Sequence, residues 1–324
     1  MNTTHKARQD DQGVALLTAL ALLFLFSLLG AAYVGYMTNE LERTDFTIRG
    51  VRARNMARGG VHTAIGAIQQ AIDENRLPEL LASPFGLELP VYKSQPDAPL
   101  GFGLRENQRA VTRAAVYDES GKMNINHAPP RLLQAVLGVD GDTARRIRSS
   151  LPSAGASGGQ WFGDLAGLVH RGFLSRDAFD ALDKDLLTVY TVSDHARPAA
   201  SLNVNAAPLA VLAAIMDLSP EARAAIGQKR PVFKSPAELA AVAGKPSSAF
   251  NFKAQPGSAP NALAEELCFE SRCFRIVSTA TVSNVGPNHT EYRKTQARVE
   301  AVVVLAPGGV HVTYWSEAPE PPGA

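Results

Sequence analysis

The chain has 324 residues, with 32 Lys and Arg against 31 Asp and Glu, and 45% of its residues are hydrophobic. The formal net charge of +1 excludes both the basic excess typical of nucleic-acid binding and the acidic excess typical of disordered chains. A chain of this length and apolar content can bury a core besides a membrane helix, and we predict two domains.

The N-terminal segment carries no charged residue between Asp11 and Glu40, which predicts a membrane-spanning helix over residues 14–36. Its 23 residues reach about 34 Å, enough to cross a hydrocarbon core of about 30 Å. A cleavable secretory signal peptide has a shorter apolar run with its small-residue cleavage site behind it, whereas here Gly13 precedes the run. We therefore expect the helix to remain in the mature protein.

We predict that this helix continues beyond the membrane and ends before Pro78. Apolar residues recur every three or four positions in its second half, as in an amphipathic helix: Val61, Ile65, Ile68 and Ile72. Gly50 and the Gly59–Gly60 pair weaken helical propensity, so we also predict a bend or local unwinding there.

One predicted strand follows the proline-rich stretch Pro84–Pro99, and three more lie near the C-terminus. The predicted strands are Ala110–Asp118, 274–285, 295–305 and 309–315. Turn residues at 286–288 and 307–309 separate the last three. The helix and these strands predict an N-terminal helix with an antiparallel sheet.

The middle of the chain contains an internal repeat, in which Lys122–Leu137 aligns with Ser201–Met216. The matched positions are Asn124 with Asn203, Asn126 with Asn205, and Pro129 with Pro208. In each copy the proline lies near a helix start, where its missing N–H does no harm, and an apolar-striped helix follows. We predict two small helical units inserted into the sheet.

The order of a short polar leader, Gly13 and an apolar helix from Val14 resembles the class III signal of the type IV pilin family. The resemblance implies that a prepilin peptidase cuts after Gly13 and methylates the new amine of Val14. Thr18 is then the fifth mature residue, where most pilins have a glutamate that neutralises the N-terminal amine of the subunit assembled before it. A subunit without this glutamate suits the first position of a filament.

A wider set of motifs resembles the K-type minor pseudopilin of the type II secretion system, the general secretion pathway protein K family. These motifs are the absent glutamate, ARNMARGGVHTAI, DESGKMNIN and the doubled Asn-x-Asn-x-Ala-Pro, and they span Gly13 to about Trp315. The resemblance implies a place at the tip of a periplasmic pseudopilus. There the protein primes assembly and supports export of folded proteins across the outer membrane. The implied partners are the I-type and J-type minor pseudopilins, the prepilin peptidase and the inner-membrane assembly platform.

The expected fold is α+β: a pilin-like long N-terminal helix on an antiparallel sheet, with an inserted all-α domain of two SAM-like or helix-hairpin-helix-like repeats. The expected segments are a leader 1–13, a transmembrane helix 14–36, a pseudopilin helix with the first strands 37–121, an inserted domain 122–262 (repeats about 122–185 and 200–245), C-terminal strands 263–318 and a flexible tail 319–324.

We expect a single-pass protein of the bacterial inner membrane with its C-terminal bulk in the periplasm. The positive-inside rule taken alone favours the opposite orientation, because several arginines follow the helix: Arg43, Arg49, Arg52 and Arg54. The processing signal outweighs this pattern, since the leaders of pilins are short.

Leu137–Ile147 resembles a helix-hairpin-helix, whose amides can hold a DNA phosphate, so a membrane-anchored DNA-uptake receptor is the alternative function. Residues 124–260 hold 14 Lys and Arg against 11 Asp and Glu, a net of only +3, and we expect no nucleic-acid partner. No enzyme activity is expected either, because the G-x-S-x-G pattern at 155–159 lies in a Pro/Ser/Gly loop.

A periplasmic location favours a disulfide between Cys268 and Cys273, the only two cysteines, provided that Phe269–Arg272 turns the chain. Two buried thiols are the alternative. No cofactor is certain, although two acidic groups offer the oxygen ligands that calcium prefers: Asp118 with Glu119, and Asp177 with Asp180, Asp183 and Asp185. A solvated helix face is the simpler interpretation of the second group.

Overall fold

A computed structural model describes residues 4–74, 76–77, 87–93, 104, 107–152, 159–190, 202–216, 218–229, 233–244, 267–286, 290–306 and 308–318. The helices are α1 Thr4–Asp73, α2 Pro130–Leu137, α3 Gly141–Ser149, α4 Gly167–His170, α5 Arg176–Asp180, α6 Leu209–Met216, α7 Pro220–Lys229 and α8 Pro236–Ala243. The strands are β1 Leu87–Lys93, β2 Gln108–Asp118, β3 Met123–Asn124, β4 Leu187–Thr188, β5 Leu202–Asn203, β6 Leu267–Cys268, β7 Cys273–Val285, β8 Glu291–Ala306 and β9 Gly309–Ala318.

Helix α1 is one uninterrupted helix of 70 residues and shows no local unwinding at Gly50 or Gly59–Gly60, whereas the alternative of a bend there stays a prediction. Its second half packs on the sheet through one apolar face: Ala53, Met56, Ala57, Val61, Ala64 and Ile68. Gly60 lies on this face, where a Cβ would stand 2.1 Å from Ser278 Oγ. The glycine therefore allows close approach to the sheet, and burial of the surrounding face compensates for its weak helical propensity.

The main sheet has five antiparallel strands in the order β1-β2-β7-β8-β9. The predicted strands β2, β7, β8 and β9 are confirmed, each within a few residues of its expected bounds. Strand β1 was missed because it lies in the proline-rich stretch. It occupies an edge, where Pro90 has no interior ladder bond to lose and coincides with a register shift in the β1–β2 pairing.

Contacts with α1 show which end of the sheet lies nearer the apolar span. Arg293 on β8 bonds to Glu42, whereas Gly309, at the opposite end of the β8–β9 pair, lies beside Gln69. We call the end with Val285 and Glu291 proximal, and the end with Asp118 and Cys273 distal. The chain leaves the distal end of β2 and returns at the distal end of β7.

Between β2 and β7 lie seven short helices, in the part of this segment that the structure describes, and two parallel strand pairs, β3 with β4 and β5 with β6. Their apolar side chains form a buried cluster separate from the one beneath α1. Leu133, Ile147, Leu212 and Ile226 are fully buried in this cluster, which draws on both copies of the repeat. The grouping of these helices into one inserted domain of two repeats stays a prediction.

Candidate functional site

The apolar first half of α1 is long enough to span a membrane, and the side chains of residues 14–42 are solvent-exposed. Gly13 and Val14 are adjacent in this helix, and Thr18 lies about one turn after Val14. The Thr18 hydroxyl donates to the backbone carbonyl of Val14, which is a common local bond of threonine in helices. Position 18 thus carries no charge, while cleavage after Gly13 and methylation of Val14 stay predictions.

The first copy of the repeat is organised by the Asn126 side chain. Its Nδ2 donates to the carbonyls of Phe162 at 3.1 Å and Val189 at 2.9 Å, and its Oδ1 accepts the Phe162 N–H at 2.8 Å. The Asn124 Oδ1 accepts the Asn126 N–H at 2.9 Å. One buried amide therefore joins three separate chain segments, which explains the need for asparagine at these positions. Pro129 follows as the N-cap of α2.

The second copy repeats these four hydrogen bonds. Asn205 Nδ2 donates to the carbonyls of Phe233 at 2.8 Å and Phe269 at 3.0 Å, and Asn205 Oδ1 accepts the Phe233 N–H at 3.1 Å. Asn203 Oδ1 accepts the Asn205 N–H at 2.9 Å. Pro208 directly precedes α6. The matching hydrogen bonds show that the sequence alignment pairs residues in equivalent environments.

A polar junction connects this segment to the distal end of the sheet. The backbone N–H of Glu119 donates to the Cys273 carbonyl at 2.9 Å, and its Oε1 accepts from Lys122 at 2.7 Å and Arg275 at 2.9 Å. Burial disfavours the charge of Arg275, but the neighbouring Glu119 and Glu300 outweigh it and raise the pKa of the guanidinium. Glu119 is thus a buried anion held by two cations.

Asp118 and two serines complete the junction. Asp118 accepts from the Ser120 N–H at 2.8 Å and from the Ser271 hydroxyl, while Ser120 Oγ accepts the N–H groups of Arg272 and Cys273, both at 2.9 Å. Burial raises the pKa of Asp118 above its ordinary value, and the hydrogen bonds from Ser271 and Ser120 offset only part of this effect. The departing and returning chains are therefore bonded to each other at the sheet.

The second asparagine turn is attached to the same junction. The Asn203 N–H donates to the Ser120 carbonyl at 2.7 Å, and Asn203 Nδ2 donates to Ser271 Oγ at 2.7 Å. Gly121 lies so close to this turn that a Cβ would stand 2.6 Å from the carbonyl carbon of Ala206. Ser120, Gly121 and Ser271 were not predicted from the sequence, because serines and glycines carry no pattern that reveals contacts across more than 60 residues.

No disulfide joins Cys268 to Cys273 in this structure, which differs from the bridge favoured by the sequence. The Cys268 thiol donates to the Glu270 carbonyl at 3.3 Å, and the Cys273 side chain is buried against Val302 and Val304. Burial raises the pKa of the Cys273 thiol, followed in importance by the nearby acidic side chains. The Cys273 thiol therefore lies in an apolar environment and is expected to be a poor nucleophile.

The acidic groups considered for calcium are engaged by protein atoms. Asp118 and Glu119 are bonded as described above. In the other group, Asp180 pairs with Arg176 at 3.0 Å, and Asp183 Oδ1 accepts the backbone N–H of Asp185 at 3.1 Å. Within the residues that the structure describes, no group of three or more His, Cys, Asp or Glu side chains is placed to hold a metal ion.

The hairpin considered for DNA binding has an acidic cap. Asp140 caps the N-terminus of α3, where its carboxylate accepts the N–H and hydroxyl of Thr143 at 2.7 and 3.0 Å. These hydrogen bonds lower the pKa of Asp140, so it stays ionised at neutral pH. The amides that would bind a phosphate thus face a carboxylate.

No protein-family model, curated protein or solved structure matches this chain. The architecture itself is pilin-like, since a long apolar N-terminal helix packs against an antiparallel sheet.

Proposed function

We propose that this chain is a K-type minor pseudopilin that caps the type II secretion pseudopilus and primes its assembly with the I-type and J-type minor pseudopilins. It is anchored in the bacterial inner membrane, and its C-terminal bulk lies in the periplasm. The observation that carries the proposal is the position of the helical segment. Residues 119–272 leave and rejoin a pilin-like sheet at the end farthest from the apolar helix.

The distal position of this segment favours a terminal subunit. A pilin-like filament grows by stacking heads along the direction of α1, so the next subunit above would have to pack beyond the distal end of this sheet. Here that end is bonded to the helical segment through Glu119, Ser120 and Asn203. The segment is therefore fixed where a neighbour would otherwise dock.

The apolar helix supports the same placement. An uncompensated charge in lipid is costly, and Thr18 contributes no carboxylate to neutralise the amine of a subunit above. The amine of Val14 can still be neutralised by a glutamate from a subunit below. Charge neutralisation in the membrane would therefore link this chain to a subunit below it but not to one above it.

The DNA-receptor alternative is disfavoured by the charge at the hairpin. A phosphate approaching the N-terminus of α3 would meet the Asp140 carboxylate, which already occupies the amide hydrogen bonds. Among the basic residues of α3, Arg145 is paired with Asp142, and Arg148 donates to the Asn126 carbonyl. We therefore propose no nucleic-acid role, and no enzymatic one.

Co-purification tests the proposal directly. The full-length tagged protein is co-expressed with the I-type and J-type minor pseudopilins, extracted in detergent and purified through its tag, with an unrelated tagged single-pass protein as the control. We expect both partners to be retained by this chain and by none of the control samples. Absence of both partners, together with retention of duplex DNA at moderate salt, would favour the receptor instead.

A further inference from the structure

Helix α1 is uninterrupted from the predicted membrane span to the sheet, so its length relates the position of the head to that of the membrane. The predicted span ends at Tyr36, and Glu42 follows six residues later in the same uninterrupted helix, about 9 Å higher at 1.5 Å per residue. The headgroup layer adds about 5–7 Å on each side of the hydrocarbon core. Any part of the head at or below the level of Glu42 therefore lies close to the headgroups.

One part of the head meets this condition. Arg293 on β8 donates to Glu42 at 2.6 Å, which places its guanidinium group at that level. Strand β8 extends two residues further in the proximal direction, to Glu291, which is up to about 7 Å at 3.3 Å per residue. The proximal end of the β7–β8 hairpin thus lies near the level of Glu42, which is about 9 Å above that of Tyr36.

A local irregularity shapes this end of the hairpin. The β7–β8 register shifts between Val282 and Asn284, and Arg293 has a left-handed backbone with φ of 50°. Such a bulge redirects side chains, and a non-glycine residue in this conformation needs support from its surroundings. Here the redirected Arg293 contacts α1, while the neighbouring Tyr292 is 44% exposed.

The exposed side chains at this end suit a lipid surface. Tyrosine prefers the membrane–water interface because its ring is apolar and its hydroxyl is polar. Lys294 is 60% exposed and meets Glu291 only at 3.4 Å, so its ammonium group can also reach a phosphate. Exposed Arg43 adds a second cation on α1 at the same level.

We propose that the proximal end of the β7–β8 hairpin, residues Thr290–Lys294, docks into the phospholipid headgroup layer before assembly and sets the head upright on the membrane. Tyr292 enters the interface and Lys294 contacts lipid phosphates. The proposal rests on the membrane-spanning helix of the proposed function. It assigns to this hairpin a lipid-binding surface that is separate from the distal helical segment.

Tryptophan quenching in lipid nanodiscs tests the docking. Three full-length variants each carry a single tryptophan. Two have Tyr292→Trp or Phe24→Trp, with both native tryptophans replaced by Trp161→Phe and Trp315→Phe. The third keeps native Trp315 and carries only Trp161→Phe. Nanodiscs contain phosphatidylcholine and phosphatidylglycerol with bromines either near the headgroups or near the bilayer centre. Trp315 is the matched control, because it stacks on His62, about 39 Å up α1 from Tyr36.

We expect shallow bromines to reduce the fluorescence of Trp at 292 more than deep bromines do, deep bromines to quench Trp at 24, and neither to affect Trp315. Quenching at 24 but not at 292 would refute the docking and leave the membrane anchor standing. Absence of quenching at position 24 would refute both the membrane-spanning helix and the docking. Quenching of Trp315 would show the head lying on its side and would also overturn the proposal.

Discussion

Replacing Gly60 by alanine should destabilise the packing of α1 on the sheet. The new Cβ would stand 2.1 Å from Ser278 Oγ and 3.0 Å from Thr112 Cγ2. Overpacking of this kind costs about 1–3 kcal/mol, while the better helical propensity of alanine returns about 1 kcal/mol. Rotation of Ser278 cannot relieve the contact with Thr112, so we expect a net loss of up to about 2 kcal/mol.

Gly59 provides a matched control on the same turn of the helix. No atom lies within 4 Å of a Cβ placed there, so Gly59→Ala should stabilise the protein by about 1 kcal/mol. Because both variants gain the same helical propensity, their unfolding free energies should differ by the overpacking cost at Gly60 alone, about 1–3 kcal/mol. The assay is urea unfolding of the full-length protein in detergent, followed by the fluorescence of Trp315, which stacks on His62 near Gly60.

A second substitution tests the cause. Ser278 Oγ is buried and has no hydrogen-bond partner among the residues that the structure describes. Ser278→Ala should therefore not reduce stability, and in combination with Gly60→Ala it should recover more than 0.5 kcal/mol of the loss, roughly the scale of direct coupling. Equal stability of the Gly59 and Gly60 variants, or no recovery in the double variant, would refute the close-packing explanation.

Three further predictions concern the repeat, the leader and the junction. Asn126→Ala should lower the free energy of unfolding in urea by about 2–4 kcal/mol, because it leaves buried backbone groups unpaired. Asn205→Ala should cost less, because its bonds are only part-buried, and exposed Asn55→Ala should change little. Gly13→Asp should block cleavage, and mass spectrometry should find a precursor longer by the 13 leader residues. Because burial raises the pKa of Asp118 in the folded protein, its ionised form opposes folding, so the stability of the wild type should fall relative to that of Asp118→Asn as the pH rises above the ordinary carboxyl pKa of about 4.

Each of these three predictions has a contradicting result. Equal stability of the Asn55 and Asn126 variants would show that the duplicated amides do not hold the helical segment together. An intact Met1 in the wild-type protein purified from membranes would contradict the predicted cleavage after Gly13. A pH-independent stability difference for Asp118→Asn would show that this carboxyl is not shifted in the folded protein.

Regular patterns in the sequence predicted the elements whose burial is periodic. The apolar spacing through Val61 and Ile68 identified the face of α1 that packs on the sheet, and runs of β-branched residues identified β7 and β8. The paired asparagines were visible as a repeat. Their role was not, because the bonds of Asn126 reach Val189, 63 residues away.

Features that depend on tertiary packing could not be predicted in the same way. The low helical propensity of Gly60 suggested a weak point in the helix, but in the structure this glycine allows α1 to pack closely against Ser278 on the sheet. The junction around Glu119 joins residues more than 150 positions apart, with no local pattern to indicate the pairing with Arg275. Strand β1 was concealed by Pro90, which an edge strand tolerates.

Immunogold labelling of isolated pseudopili tests the proposed tip position most directly. Pseudopili prepared with the full-length protein carrying a C-terminal tag are labelled with gold-conjugated antibody and examined by electron microscopy. The proposed tip position predicts a single label at one end of each filament, because the distal helical segment and the uncharged Thr18 would allow a neighbour on one side only. Labels distributed along the whole length would contradict it.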